Sequence, residues 1–129
     1  MAVPTPQRLR FRRAAHLKRG RDFRRIRQAG ERRVSGCLIA NWQRLPADTA
    51  SRLGVISASR IGGAVVRSRA RRLLREVFRL HQRDLAGPVD LVLVARPSIT
   101  GRKFAEVERD YLAALRHAGL LHPARSQGA

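Results

Sequence analysis

Between Ser59 and Pro97 the chain reads SRIGGAVVRSRARRLLREVFRLHQRDLAGPVDLVLVARP, and this stretch restricts the fold more than any other. At 100° per residue, Val66, Ala70, Leu73, Leu74, Val77 and Phe78 fall in one arc. Arg69, Arg71, Arg72, Arg75, Arg79 and Arg83 fill the other, with Ser68 inside it and Arg67 on its border. This is one amphipathic helix, predicted over about Ala64 to Leu85 and stopped by Gly87-Pro88. The run VDLVLVA that follows is apolar without alternation, as in a strand covered on both faces or central in a sheet. A helix delivered straight into such a strand requires a layered α and β architecture.

The flanking segments supply the other elements. KRGRDFRRIRQA, Lys18 to Ala29, places Phe23 and Ile26 on one face of a short helix, with Gly30 as its stop. An apolar stretch from Cys37 to Trp42 reads as a strand closed by the turn at Pro46 and Asp48. A second strand runs from Arg52 to Ser59 and ends at the glycines of RIGG. A last helix, about Lys103 to Ala118, sets Phe104, Val107, Tyr111 and Leu115 against Glu106, Arg109, Asp110 and His117. The expected class is α+β, a single domain over residues 15–121. A basic arm is expected over 1–14 in preference to a cleaved presequence, and a disordered tail over 122–129.

Charge narrows the function. The chain carries 28 basic and 9 acidic residues for a net +19. The central helix holds Arg67, Arg71, Arg75 and Arg79 at successive i, i+4 positions, with Glu76 as the one acid among them. Such like-charge spacing costs a few tenths of a kcal/mol per pair, about 0.2–0.5. A polyanion that neutralises them repays that cost, and nucleic acid is the leading one. Phosphate contacts position a ligand without reading its sequence. Phe23, with few apolar neighbours on its helix, reads as an exposed ring available for base stacking. Trp42 fits either stacking or core packing.

Catalytic chemistry is not legible. The acids are scattered or lie on the outer face of the last helix, and His16, His81, His117 and His122 show no ligand spacing and read as surface residues. RIGGAV lacks the lysine and spacing of a phosphate loop. Cys37, the single cysteine, sits in an apolar run and reads as a half-buried strand residue rather than a nucleophile. With no possible internal disulfide it suits a reducing cytoplasm. The longest clean apolar run, Leu91 to Ala95, is far below the ~20 residues that span a bilayer, so no membrane partner is expected.

SRIGGAVVRSRARRLLREVFR resembles the signature of the bacterial ribonuclease P protein component: Gly-x-Ala-Val, an Arg-x-Arg pair, a basic doublet and Arg-Glu-x-Phe-Arg. LKRGRDFRRIRQAG is similar to that family's first helix. The resemblance implies an α-β-β-β-α-β-α sandwich with a left-handed βαβ crossover. It implies a subunit with no catalytic residues of its own, which assists a catalytic RNA in removing the 5′ leader of precursor tRNA. The partners are then ribonuclease P RNA and precursor tRNA, with no further protein required and Mg2+ held chiefly by the RNA. By the same resemblance Arg60, Arg67, Ser68, Arg69, Arg71, Arg72, Arg75 and Arg79 contact the catalytic RNA. The leader lies in a cleft formed by Phe23, Arg27, Ile39, Asn41 and Trp42. Either Asn41 or Trp42 stands at the family's usual tyrosine. Asn41 would bring Ile39 and Cys37 to the cleft, and Trp42 would bring Leu38 and Ala40. Ser68 replaces a usual asparagine, Ser59 a usual basic residue, and Arg27 a residue that is often aromatic. The alternative is a structural basic RNA-binding protein with no part in cleavage; a DNA-binding helix module is disfavoured because no second short helix pairs with a recognition helix.

Overall fold

The computed structural model describes residues 21–122. The arm expected over 1–14, the start of the expected domain and the tail beyond His122 lie outside them. The elements are α1 (Arg21–Ala29), β1 (Glu31–Ser35), β2 (Leu38–Arg44), β3 (Arg52–Ser57), α2 (Ala64–His81), β4 (Val89–Ala95) and α3 (Phe104–His117). The strands form one sheet in the order β1-β2-β4-β3. β2 lies antiparallel to β1 on one side and to β4 on the other, whereas β3 lies parallel to β4 with α2 as the connection.

The continuous apolar run does form a central strand. β4 lies between β2 and β3, with Leu91, Val92 and Leu93 fully buried. Leu91 and Leu93 face α2 and α3 together with Leu38, Ala40, Trp42, Leu53 and Val55, and this layer is the main core. Val92 faces the other way, onto Ile26 of α1.

β1 is an addition to the strands that the residues alone located. Its sequence, ERRVS, has one apolar residue and is exposed along most of its length, because it is an edge strand whose charged side chains discourage further pairing. The stretch Cys37 to Trp42 is therefore the second arm of a hairpin and begins at Leu38. Gly36 (φ +55°) and Cys37 form its two-residue turn. At Gly30 the chain passes from α1 into β1 so closely that a Cβ would lie 2.2 Å from the carbonyl oxygen of Trp42.

α2 stops at His81, short of the expected Leu85, and gives way to a 3-10 turn over Gln82–Asp84. The backbone here leaves the helix to bond the C-terminal segment. The Ala86 N–H donates to Leu120 O at 2.7 Å, the His122 N–H donates to Asp84 O at 2.7 Å, and Leu85 and Leu121 form an isolated bridge. His122, expected to start the tail, is thus tied to the domain.

Candidate nucleic-acid interface

α2 is oriented by what it buries. Ala70, Leu74, Val77 and Phe78 lie against β3, β4 and α3, while Val66 and Leu73 are half-buried, as the helical wheel requires. The opposite side is left to Ser68, Arg69, Arg72 and Arg75, all exposed, with Arg67, Arg71 and Arg79 at the margins. Several of these arginines are held in place. Arg71 Nη1 donates to Ser57 Oγ at 2.6 Å, and Arg69 Nη2 donates to the Arg102 carbonyl at 2.7 Å. Ser57 Oγ in turn donates to the Arg67 carbonyl at 3.3 Å, tying the end of β3 to the first turns of α2. Arg60 is exposed on the 3-10 turn Ser59–Ile61, which is anchored by buried Ile61.

Arg79 differs from the rest. Its Nε and Nη2 bond both oxygens of Glu76, at 3.0 and 2.5 Å. The bonds to Arg79 hold the Glu76 carboxyl below its usual range and push the guanidinium of Arg79 up, so the pair is internally neutral. The cationic surface proper is Arg60, Arg67, Arg69, Arg71, Arg72 and Arg75.

A second surface lies across the sheet. On the face away from α2, side chains align in rows: Gln43–Asp90–Arg52, then Arg32–Asn41–Val92–Gly54, then Val34–Ile39–Val94–Ile56. α1 is pinned over the first two. Ile26 is fully buried on Val92, and Asp90, also fully buried, accepts Arg25 Nη2 at 2.8 Å and Arg52 Nε and Nη2 at 2.8 and 2.7 Å, while Arg25 Nη1 donates to Gln43 Oε1. The third row is covered incompletely: Ile39, Val94 and Ile56 are half-buried, and Val34 is 43% exposed. An apolar strip thus runs beside α1 across all four strands.

This geometry fixes the face that each side chain of β2 takes. Ile39 and Asn41 share the α1 face, with Phe23 packed half-buried near Ile56 and Val94 and Arg27 exposed on α1. Trp42 faces the main core, 4% exposed, its indole N–H donating to Glu31 Oε1 at 3.2 Å, so it is not available to stack on a base. Phe23 is less free than expected: it packs half-buried on Ile26 and Val92, and the rest of its ring stays exposed, unlike that of Trp42. Cys37 does not line the cleft. It is fully buried in the hairpin turn, where burial and Asp110 push its thiol up to about 12.

Three groups differ from what the sequence predicts, each through at least one partner remote in the chain. Asp110, expected on the outer face of α3, accepts the Cys37 N–H at 3.0 Å. His81, expected at the surface, is clasped between Asp84 Oδ2 at 2.8 Å and Glu108 Oε2 at 2.7 Å. Asp90, Arg25 and Arg52 were passed over entirely. The available signal was a lone carboxylate in an otherwise apolar strand, which requires a buried cation. Among the described residues no group of three or more His, Cys, Asp or Glu side chains is placed to hold a metal ion, and no helix is long and apolar enough to cross a membrane.

A family model described as Ribonuclease P matches residues 11–119. The chain belongs to the ribonuclease P protein family. It is 35% identical over 106 residues to the ribonuclease P protein component of Syntrophomonas wolfei, covering 82% of this chain and 88% of that one. It is 40% identical over 112 residues to the component of Chloroflexus aurantiacus, covering 86% and 82%. Its fold matches the ribonuclease P protein of Staphylococcus aureus with a TM-score of 0.76 at 22% identity, covering 85% of this chain and 100% of that one. The Thermotoga maritima protein matches at 0.71 and 24%, covering 79% and 96%. As a ribonuclease P protein component, the chain is part of an endoribonuclease that matures tRNA 5′ ends together with an RNA subunit. The alternative of a basic RNA-binding protein outside any cleavage role gives way to this membership.

Proposed function

We propose that the two faces of the sheet divide the RNA between them. The arginine side of α2, with Arg60, Arg67, Ser68, Arg69, Arg71, Arg72 and Arg75, binds the ribonuclease P RNA. The strip beside α1, with Phe23, Arg27, Ile39 and Asn41 and extended by Val34, Val94 and Ile56, takes the single-stranded 5′ leader of precursor tRNA. The observation that carries this reading is the separation itself. A one-signed cationic helix and a half-covered apolar strip edged by Arg27 lie on opposite faces of one sheet, so both can be occupied together. Phosphates suit the first and unstacked bases the second.

Six of the nine carboxylates are engaged by cations or N–H groups of the protein and so are unsuited to a resident divalent cation. Asp90 is taken by Arg25 and Arg52, Asp84 and Glu108 by His81, Glu76 by Arg79, Glu106 by the Lys103 N–H and Arg102, and Asp110 by the Cys37 N–H. The Mg2+ of the cleavage step belongs, in this reading, to the RNA. The protein acts by binding and positioning, in the cytoplasm and without a membrane or further protein partner.

The test is cleavage of a 5′-extended precursor tRNA by bacterial ribonuclease P RNA at low Mg2+, with and without the protein. The protein restores accurate cleavage that the RNA alone performs poorly. Phe23→Ala weakens binding of the precursor about 5- to 30-fold and leaves mature tRNA nearly unaffected, as loss of a base contact of about 1–2 kcal/mol requires. Equal losses for precursor and mature tRNA remove the leader assignment.

A further inference from the structure

The most exposed large apolar side chain of the described residues is Val65, 83% exposed on the first turn of α2. Beside it lies a recess of about 100 Å3 lined by Val65, Val66, Ala70, Ile99, Thr100 and Gly101, with Arg69 as its one charged wall. Ala70 and Ile99 are almost fully buried and close it below. Gly101 takes φ +81°, and a Cβ built there meets nothing within 4 Å, so the side of the recess formed by this loop is open. The recess is much smaller than the ~300–1,000 Å3 of a drug-sized pocket and smaller than the ~150 Å3 that encloses a benzene ring, so it has room for the edge of one planar ring, the remainder of which stays outside.

We propose that this recess receives a single unstacked base of the ribonuclease P RNA. The inference rests on the reading of α2 as the face bound to that RNA. Charge complementarity selects this occupant. The recess is an apolar hole in the cationic helix surface, with Arg69 in its wall, Arg72 one turn on along the same side of the helix, and Arg60 beside Ile61, whose carbonyl accepts from the lining Thr100. An apolar protein side chain would fill the hole and leave those cations facing uncharged surface. A phosphate would satisfy the cations and lose its water against valine and isoleucine. A nucleotide does both, because its ring enters the apolar space while its flanking phosphates stay among the arginines. Arg69 is already oriented by its bond to the Arg102 carbonyl, so its remaining donors are directed without further ordering. Extruding a base costs least where the strand is already single, which places the nucleotide in a loop or joint of the RNA rather than in a duplex.

The contact is apolar, and this separates it from the arginine contacts experimentally. Val65→Ser should weaken binding to ribonuclease P RNA about five- to tenfold while leaving the slope of log affinity against log salt unchanged. Arg72→Glu should weaken binding and make that slope shallower. Because Cys37 is buried and its thiol inert, a photo-crosslinker attached to Val65→Cys reports from that position alone. It should mark one nucleotide. Replacing that nucleotide by an abasic one should cost the same factor as Val65→Ser, and the two changes together should cost no more than either. Unchanged affinity of Val65→Ser, crosslinks spread over many nucleotides, or additive losses would each overturn the inference and leave the recess to a protein side chain or to no occupant. If Arg72→Glu also leaves affinity intact, the assignment of α2 to the RNA has failed as well. If it weakens binding while Val65→Ser does not, only the base recess has failed.

Discussion

Tyr111 is fully buried in α3, and its hydroxyl has no hydrogen-bond partner among the described residues. Burial, with Asp84 nearby, pushes its ionisation far up, so the ring stays neutral and contributes packing alone. Tyr111→Phe removes an unsatisfied polar atom from the core, and the protein should be unchanged or more stable by up to about 1–2 kcal/mol in thermal or urea denaturation. A clear loss of stability would show that the hydroxyl has a partner. His81, its neighbour at a ring distance of 6.2 Å, makes the opposite case. Burial lowers the affinity of its imidazole for a proton, but bonds to Asp84 and Glu108 outweigh burial and raise it above the ordinary value of 6.5. The folded state therefore holds the proton more tightly than the unfolded chain. The stabilisation is fully present below about pH 6.5 and is lost as pH rises through the higher folded value. Stability measured from pH 6 to 9 should fall over that window in the native protein, and the fall should shrink in His81→Gln.

At the scale of elements, α1 depends on a single buried carboxylate. Three arginine donors converge on Asp90 from α1 and β3, and Ile26 is the one fully buried side chain that α1 contributes. Asp90→Asn should cost about 1–3 kcal/mol of stability, since the charge-assisted bonds become neutral ones at best. Its effect on RNA should be selective. Discrimination of precursor from mature tRNA should weaken because α1 borders the apolar strip, whereas affinity for the ribonuclease P RNA, which we assign to α2, should hold. Comparable losses on both would mean that the network serves general stability and not the cleft. The elements also differ in how far they could be read in advance. α2 and β4 announce themselves, because their patterns are long and each is consistent with a single kind of covering. β1 does not, because an exposed edge strand has no apolar alternation to show and its partner in β2 supplies the pairing. The early end of α2 was invisible for a related reason: Ala86 bonds to Leu120, far along the chain.

For the whole molecule, a net charge of +19 on 129 residues makes affinity for RNA strongly dependent on salt. Counting four to six phosphates on the arginines of α2 and Arg60, the slope of log affinity against log salt should be roughly −3 to −5. Titration of the native protein against ribonuclease P RNA from low to physiological salt checks this. Replacing Arg79 should change the slope less than replacing Arg72, because Glu76 already balances Arg79. A slope near zero would remove phosphate neutralisation as the source of binding.

The amino-acid sequence by itself determined the α+β class, the cationic helix, the central strand and the kind of ligand, because periodicity and charge are local properties that need no knowledge of neighbours. It also carried the family resemblance, which named the arginines as a set. Which side chains of β2 lie under α1 depends on long-range packing. A strand alternates between two faces, and Asn41 and Trp42 exchange roles if the register slips by one residue. Pairing with β4, and α1 covering one face while α2 and α3 cover the other, places Asn41 on the α1 face and Trp42 in the core. The partners of Asp90 and Asp110 and the Glu108 partner of His81 were decided in the same way, whereas Arg79 meets Glu76 and His81 meets Asp84 three residues away, within local structure. A charged side chain in a sequence states what it requires, but only folding brings the group that meets it within bonding distance.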